Sequence, residues 1–87
     1  MLVNYQVTLF CTTGQYRPVA SIVSYEQEDA NADLSKDKEK RAPIIQKGIE
    51  KICAKRYWKG SDIKKYGYGK CKIRKVEEEY YGNNKNY

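Results

Sequence analysis

The segment LVNYQVTLFCT, residues 2–12, decides the fold of this chain. Apolar side chains occupy every second position from Val3 to Cys11, and polar side chains separate them from Asn4 to Thr8. This alternation predicts a β-strand with one buried face. Phe10 interrupts the polar face, where we expect it to cap that face or to meet a partner. Because this is the most apolar of the predicted strands, we expect it to be the central one.

A second strand is predicted at residues 19–25, after a short turn. In the turn, Thr13-Gly14-Gln15, the glycine can adopt a positive φ at little steric cost. Pro18 has no N–H to donate to a neighbouring strand, so at least the start of the second strand belongs at a sheet edge. The two strands therefore form a hairpin.

One long amphipathic helix is predicted after the hairpin. Residues 26–40 are polar and predict a flexible loop, and Pro43 then suits the first turn of a helix, because its missing N–H has no partner there. Gly48 predicts a close approach of the helix to the sheet. We expect the helix to end near residues 58–60. Five residues at helical spacing predict the amphipathic pattern, and they are Ile45, Ile49, Ile52, Cys53 and Arg56.

The C-terminal part predicts a capped helical turn followed by a third strand. Ser61 is the expected N-cap residue, and Gly67 is the expected stop signal. Alternation then resumes over residues 68–76, which places Cys71 and Ile73 inward.

Together these elements predict an α+β domain with the element order β-β-α-β. Its three-stranded antiparallel sheet has the order 2-1-3, and the long helix packs on one face. With 87 residues the chain is long enough for one domain, which we place at residues 1–81. Residues 26–40 are a flexible loop within it, and residues 82–87 have the composition of a frayed tail.

Positive charge is concentrated in residues 36–75. This block holds fifteen Lys or Arg against four acidic residues, a net +11, whereas the whole chain carries +6. Residues 1–34 carry −3, and residues 77–87 carry −2. Clustered cations raise the local potential, so the asymmetry predicts an anionic partner.

Several other classes of function are disfavoured. No apolar run is long enough to span a membrane, and no signal peptide precedes the first strand, so we expect a cytoplasmic protein that does not bind membranes. The chain has no His, no phosphate-binding glycine motif and no paired carboxylates at the end of a predicted strand, which argues against an enzyme and against a cofactor. The three cysteines are widely spaced, so we expect reduced thiols rather than a metal site.

The basic block also contains aromatic residues, and this combination is typical of surfaces that bind nucleic acid. Lysines neutralise phosphates, and flat rings stack on bases. Most of the cations are Lys, which favours phosphate contact over the reading of bases. The alternative is that the lysines form a solvated face and the aromatics, Trp58 included, cover the core. The predicted nucleic-acid-binding residues are Lys47, Lys51, Lys55, Arg56, Lys59, Lys64, Lys65, Lys70, Lys72, Arg74, Tyr57, Tyr66 and Tyr68.

The hairpin supports a second hypothesis, in which the chain binds a protein. An edge strand can accept a further strand, and exposed aromatics can anchor a partner. The candidate residues are Phe10, Tyr16 and Tyr25. If the chain is an inhibitor or adaptor, the partner is a host protein. If the chain forms a homodimer, the partner is a second copy of it.

Residues 51–58 (KICAKRYW), 61–68 (SDIKKYGY) and 72–74 (KIR), with the hairpin segments 5–9 and 16–19, resemble a group of small proteins. These are accessory proteins of Gram-positive phages and conjugative elements, most of them uncharacterised. The resemblance implies that the chain is an accessory protein of a mobile element, and it identifies no active-site residues. It leaves both hypotheses open, since such elements encode nucleic-acid-handling proteins and inhibitors of host defence.

Overall fold

The computed structural model describes residues 1–76 and contains a three-stranded antiparallel sheet with one long helix packed on it. The strand order β2-β1-β3 confirms the predicted α+β fold. The predicted tail and the predicted end of the domain at residue 81 lie outside the described residues. In chain order the elements are β1 (Leu2–Phe10), β2 (Val19–Glu26), a 3₁₀ turn (Leu34–Lys36), α1 (Lys38–Lys55), α2 (Asp62–Lys65) and β3 (Lys70–Lys75).

The pairing register places alternate residues of all three strands on the same face. Leu9 of the central strand pairs with Val19 of β2 and with Cys71 of β3. These inward residues pack under α1 and form two adjoining clusters, so the buried face predicted from the alternation is confirmed. The clusters consist of Val3, Tyr5, Val7, Val23 and Ile44, and of Leu9, Val19, Ile52 and Tyr68.

Gly48 lets α1 lie directly on the central strand, as predicted. A Cβ atom at this position would lie 2.5 Å from Cβ and from Cγ2 of Val7. Carbon atoms in favourable contact are about 3.5–4.0 Å apart, so no side chain fits between the helix and the strand at this point.

The helix begins five residues earlier than the predicted start at Pro43. The carboxylate of Asp37 accepts hydrogen bonds from the backbone N–H groups of Glu39 and Lys40, at 3.0 and 3.1 Å, and so caps a helix that starts at Lys38. Pro43 therefore lies in the second turn. Its ring is tolerated there because the carbonyl that loses a donor belongs to exposed Glu39.

The buried stripe of α1 also differs from the prediction. Arg56 is exposed and lies just beyond the end of the helix, and Ile49 is only half-buried. Ile44 is fully buried, whereas Ile45 is only half-buried. Ile44, Gly48 and Ile52 follow one another at intervals of four and face the sheet. The preference for Ile45 was wrong because two adjacent isoleucines fit the helical period almost equally well, and the close approach at Gly48 selects between them.

Residues 26–40, predicted as a polar flexible loop, are connected to the core by hydrogen bonds. The hydroxyl of buried Tyr5 donates to Oε1 of Gln27 at 2.6 Å and accepts from the N–H of Leu34 at 3.2 Å. The segment contains the 3₁₀ turn and the first residues of α1. Within residues 1–76, no helix is long and apolar enough to cross a bilayer.

Candidate nucleic-acid interface

The ten cationic residues predicted to bind nucleic acid are all exposed to solvent. They form three groups, defined here by the elements that carry them. The helix row lies on α1 and comprises Lys47, Lys51 and Lys55; the turn group surrounds α2 and comprises Arg56, Lys59, Lys64 and Lys65; the strand row lies on β3 and comprises Lys70, Lys72 and Arg74.

The helix row extends along the edge of β2. The ammonium group of Lys47 lies 5.5 Å from the ring centre of Tyr25, and that of Lys51 donates to the carbonyl of Ile22 at 2.5 Å. Lys51, Lys55 and Arg56 line one side of an open groove of about 460 Å³. Its other side is formed by residues of β1 and β2.

α1 ends at Lys55 because the chain reverses there in a Schellman motif. The N–H of Trp58 donates to the carbonyl of Cys53 at 2.6 Å, and the N–H of Tyr57 donates to that of Ala54 at 3.3 Å. Tyr57 occupies the left-handed position of this motif, with φ +60°, and its side chain is 94% exposed. The predicted helix end at residues 58–60 was therefore wrong, since the left-handed residue stops the helix earlier.

α2 ends in a second Schellman motif. The N–H of Tyr68 donates to the carbonyl of Ile63 at 2.7 Å, and Gly67 has the left-handed φ of +85°. Gly67 thus stops the helix as predicted. The prediction for Ser61 was wrong, because its side chain caps nothing; instead the carboxylate of Asp62 accepts from the N–H of Lys59 at 2.7 Å.

The two motifs place the aromatic residues of the two chain reversals against each other. Trp58 stacks on Tyr66 with ring centres 5.4 Å apart and an interplanar angle of 19°, and it contacts Tyr68 at 5.5 Å. The guanidinium of Arg56 lies 5.7 Å from the ring centre of Trp58, and the ammonium of Lys65 lies 5.8 Å from that of Tyr66. Cations and rings therefore form one contiguous cluster at the end of the sheet where β3 begins.

The predicted stacking residues differ in accessibility. Tyr57 and Tyr66 are exposed and Trp58 is half-buried, but Tyr68 is only 4% exposed. The Tyr68 hydroxyl donates to the carbonyl of Arg17 at 2.8 Å. Tyr68 is a core residue, and its ring is not available to a base.

The strand row occupies the face of the sheet opposite α1. The register places Lys70 beside Phe10, Lys72 beside Thr8 and Arg74 beside Gln6. The Lys72 ammonium lies 5.5 Å from the ring centre of Phe10. Phe10 thus belongs to a basic face, an assignment that its sequence position did not indicate because the partner is 62 residues away.

The three residues of the protein-binding hypothesis do not share a surface. Phe10 lies on the face of the sheet opposite α1, whereas Tyr25 packs against the core on the helix-covered face. Tyr16 lies in the connection between β1 and β2, with its ring stacked 6.4 Å from that of Tyr68. The ammonium group of Lys51 also donates a hydrogen bond to a backbone carbonyl of the edge strand β2.

The three cysteines are free thiols with different environments. A hydrogen bond from the Thr13 hydroxyl, 3.1 Å from Sγ of Cys11, lowers the pKa of the Cys11 thiol to about 7. Burial raises the pKa of the Cys53 thiol, and the negative charge of Asp62 adds to the effect. Of Cys11 and Cys53, only Cys11 therefore carries a substantial fraction of thiolate near neutral pH.

No protein family, curated protein or solved structure matches this chain.

Proposed function

We propose that this chain binds nucleic acid without catalysing a reaction on it, mainly through phosphate contacts. The observation that carries the proposal is the cluster of exposed cations around stacked aromatic rings at the ends of α1 and α2. Cations neutralise phosphates and release counterions, while rings contribute stacking that does not depend on sequence.

The composition of the three groups supports binding with little sequence preference. Eight of the ten cations are Lys, and the two arginines, Arg56 and Arg74, belong to different groups. A lysine is a flexible point charge, whereas bidentate reading of a guanine requires the planar fork of arginine. The strand row, on the sheet face opposite α1 and beside Phe10, is a second exposed row of cations that a phosphate backbone can contact.

Protein binding by strand addition at β2 is less well supported. An incoming strand must donate to the outward carbonyls of the edge, and Lys51 already donates to that of Ile22. A lysine at this position discourages edge pairing, including pairing between two copies of the chain. We further propose that the chain is a cytoplasmic accessory protein of a mobile element. This proposal rests only on the sequence resemblance described above, which is carried mainly by residues 51–58 and 61–68.

Salt-dependent binding tests the proposal. Fluorescence anisotropy would follow labelled single- and double-stranded oligonucleotides of about 20 nucleotides while salt is raised from about 50 to 200 mM. We expect binding at low salt that weakens linearly in a plot of log affinity against log salt, because bound phosphates release counterions. Absence of binding to every oligonucleotide at low salt would overturn the proposal.

Two triple variants with equal net charge locate the surface. K55Q/K59Q/K64Q removes one exposed lysine of the helix row and two of the turn group, and K36Q/K38Q/K40Q removes three exposed lysines near the start of α1. We expect the first variant to reduce the salt slope by about 2–3, since each phosphate contact contributes roughly 0.7–0.9. The second should retain the slope of the unmodified chain. Equal losses in both variants would mean that only the total charge matters.

A further inference from the structure

Tyr57 occupies a backbone position that its residue type disfavours. The two Schellman motifs have the same hydrogen-bonding pattern, and the left-handed position is Gly67 in one and Tyr57 in the other. A side chain with a Cβ is strained at φ +60°, and glycine is the usual residue there. Folding alone therefore favours glycine at position 57.

The Tyr57 side chain gives the fold nothing in return for this strain. It is 94% exposed, so its ring neither fills the core nor covers one of its neighbours. Backbone strain that local packing does not offset is concentrated at functional sites. An exposed, strained tyrosine next to the basic cluster is accordingly a candidate contact residue.

The neighbours of Tyr57 define what the ring can bind. Arg56 precedes it and lies against Trp58, while Lys55 and Lys59 are exposed within two residues on either side. Both faces of the Tyr57 ring are open to solvent, whereas the Trp58 ring is already stacked on Tyr66. The ring can therefore accept a flat group from an anionic chain.

We infer that the ligand is a single-stranded nucleic acid and that Tyr57 supplies the ring on which an unpaired base stacks. The inference rests on the proposed function and names the form of nucleic acid. In a duplex the faces of each base are covered by the neighbouring bases, so an exposed ring gains nothing from it. In a single strand the base is free to stack, and Lys55, Arg56 and Lys59 reach the flanking phosphates.

Replacing Tyr57 with glycine tests the inference without weakening the fold. Y57G removes the ring and relieves the strain, so its denaturation midpoint should equal or exceed that of the unmodified protein. We expect Y57G to lower affinity for an oligothymidine of about 20 nucleotides by about 5- to 150-fold, the effect of losing one stacked base. Affinity for a duplex of the same length should change less than about twofold, with an unchanged salt slope. Y57W should retain single-strand affinity.

The possible results separate this inference from the proposed function. Equal affinity of Y57G and the unmodified chain for oligothymidine would overturn the role of Tyr57, while phosphate binding would stand. Tighter binding of the unmodified chain to duplex than to oligothymidine would overturn the single-strand inference. Absence of any binding at low salt would overturn both. Trp58, the only tryptophan of the chain, gives an independent fluorescence readout, since a base bound nearby should change its emission.

Discussion

Substitution of Gly48 by alanine brings two effects of opposite sign into competition. In a solvent-exposed helix, alanine is more stable than glycine by about 1 kcal/mol, because glycine loses more backbone entropy on folding. At position 48, however, the added Cβ would lie 2.5 Å from Cβ and Cγ2 of Val7 and 2.8 Å from its Cγ1. Either the helix or the strand must therefore move by about 1 Å to restore ordinary contact.

Neither element moves easily. Val7 is fully buried on the central strand and is paired on both sides, with Ser21 of β2 and Ile73 of β3. A shift of α1 would loosen the contacts of Ile44 and Ile52 with the sheet. Overpacking of this kind costs about 3 kcal/mol, the upper end of the usual range, because the clash involves three atoms of a β-branched side chain. After the gain in helix propensity, the free energy of unfolding should fall by about 2 kcal/mol.

Thermal unfolding followed by circular dichroism measures this loss. For a domain of this size, about 2 kcal/mol corresponds to a decrease in Tm of about 8–16 °C. G60A is the matched control, since a Cβ at Gly60 would meet nothing within 4 Å; its Tm should stay within a few degrees of the unmodified value. A Tm of G48A equal to or above that of the unmodified protein would refute the reasoning, since helix propensity would then outweigh the clash.

A double variant shows whether the clash is with Val7. V7A alone should cost about 2 kcal/mol, from two lost methyl groups and the resulting cavity. In V7A/G48A the added methyl group occupies part of that cavity. The combined loss should therefore be at least about 1 kcal/mol smaller than the sum of the single losses. If the two losses in the free energy of unfolding simply add, the cost of G48A arises from a contact other than the one with Val7.

Three further predictions follow from the same structure. Y5F should lower the free energy of unfolding by about 1–3 kcal/mol, because the N–H of Leu34 loses a part-buried acceptor; urea titration measures it, and an unchanged midpoint would contradict it. Y57G should raise the free energy of unfolding by about 1 kcal/mol through relief of the left-handed strain, and a lower midpoint in urea would show that the exposed ring stabilises the fold. Iodoacetamide should alkylate Cys11 at a rate that falls as the pH decreases through about 7, the pKa of its thiol, because the reactive thiolate becomes protonated. Cys53 should stay unreactive in the folded protein, because burial raises the pKa of its thiol. Mass spectrometry distinguishes the two cysteines, and faster labelling of Cys53 would contradict the assignment.

The sheet was predictable because its signals are local and consistent. Alternation over residues 2–12 identified the central strand, and Pro18 assigned the following strand to an edge. A third strand with alternating inward residues then had one remaining neighbour position, beside β1. Gly14, Gly67 and Gly48 were also interpreted correctly, since each marks a backbone position where a side chain is costly.

The helix bounds were less predictable because competing signals of similar strength occur near both ends. Pro43 and Asp37 each suit a helix start, and the capping hydrogen bonds to Asp37 decided the matter. At the other end no glycine marks the stop, and Tyr57 takes the left-handed position instead. A sequence signal for the stop did not exist at that residue, since tyrosine is rare in this conformation.

The sequence by itself determined the fold class, the strand order and the concentration of exposed cations in residues 36–75. These properties depend on periodicity and on charge, which neighbouring residues report directly. Only the tertiary structure decided which aromatics are accessible: it buries Tyr68, exposes Tyr57 and places Phe10 beside Lys72. The physical reason is that these contacts join residues far apart in the chain. They form when β3 pairs with β1 and when the ends of α1 and α2 pack against the end of the sheet.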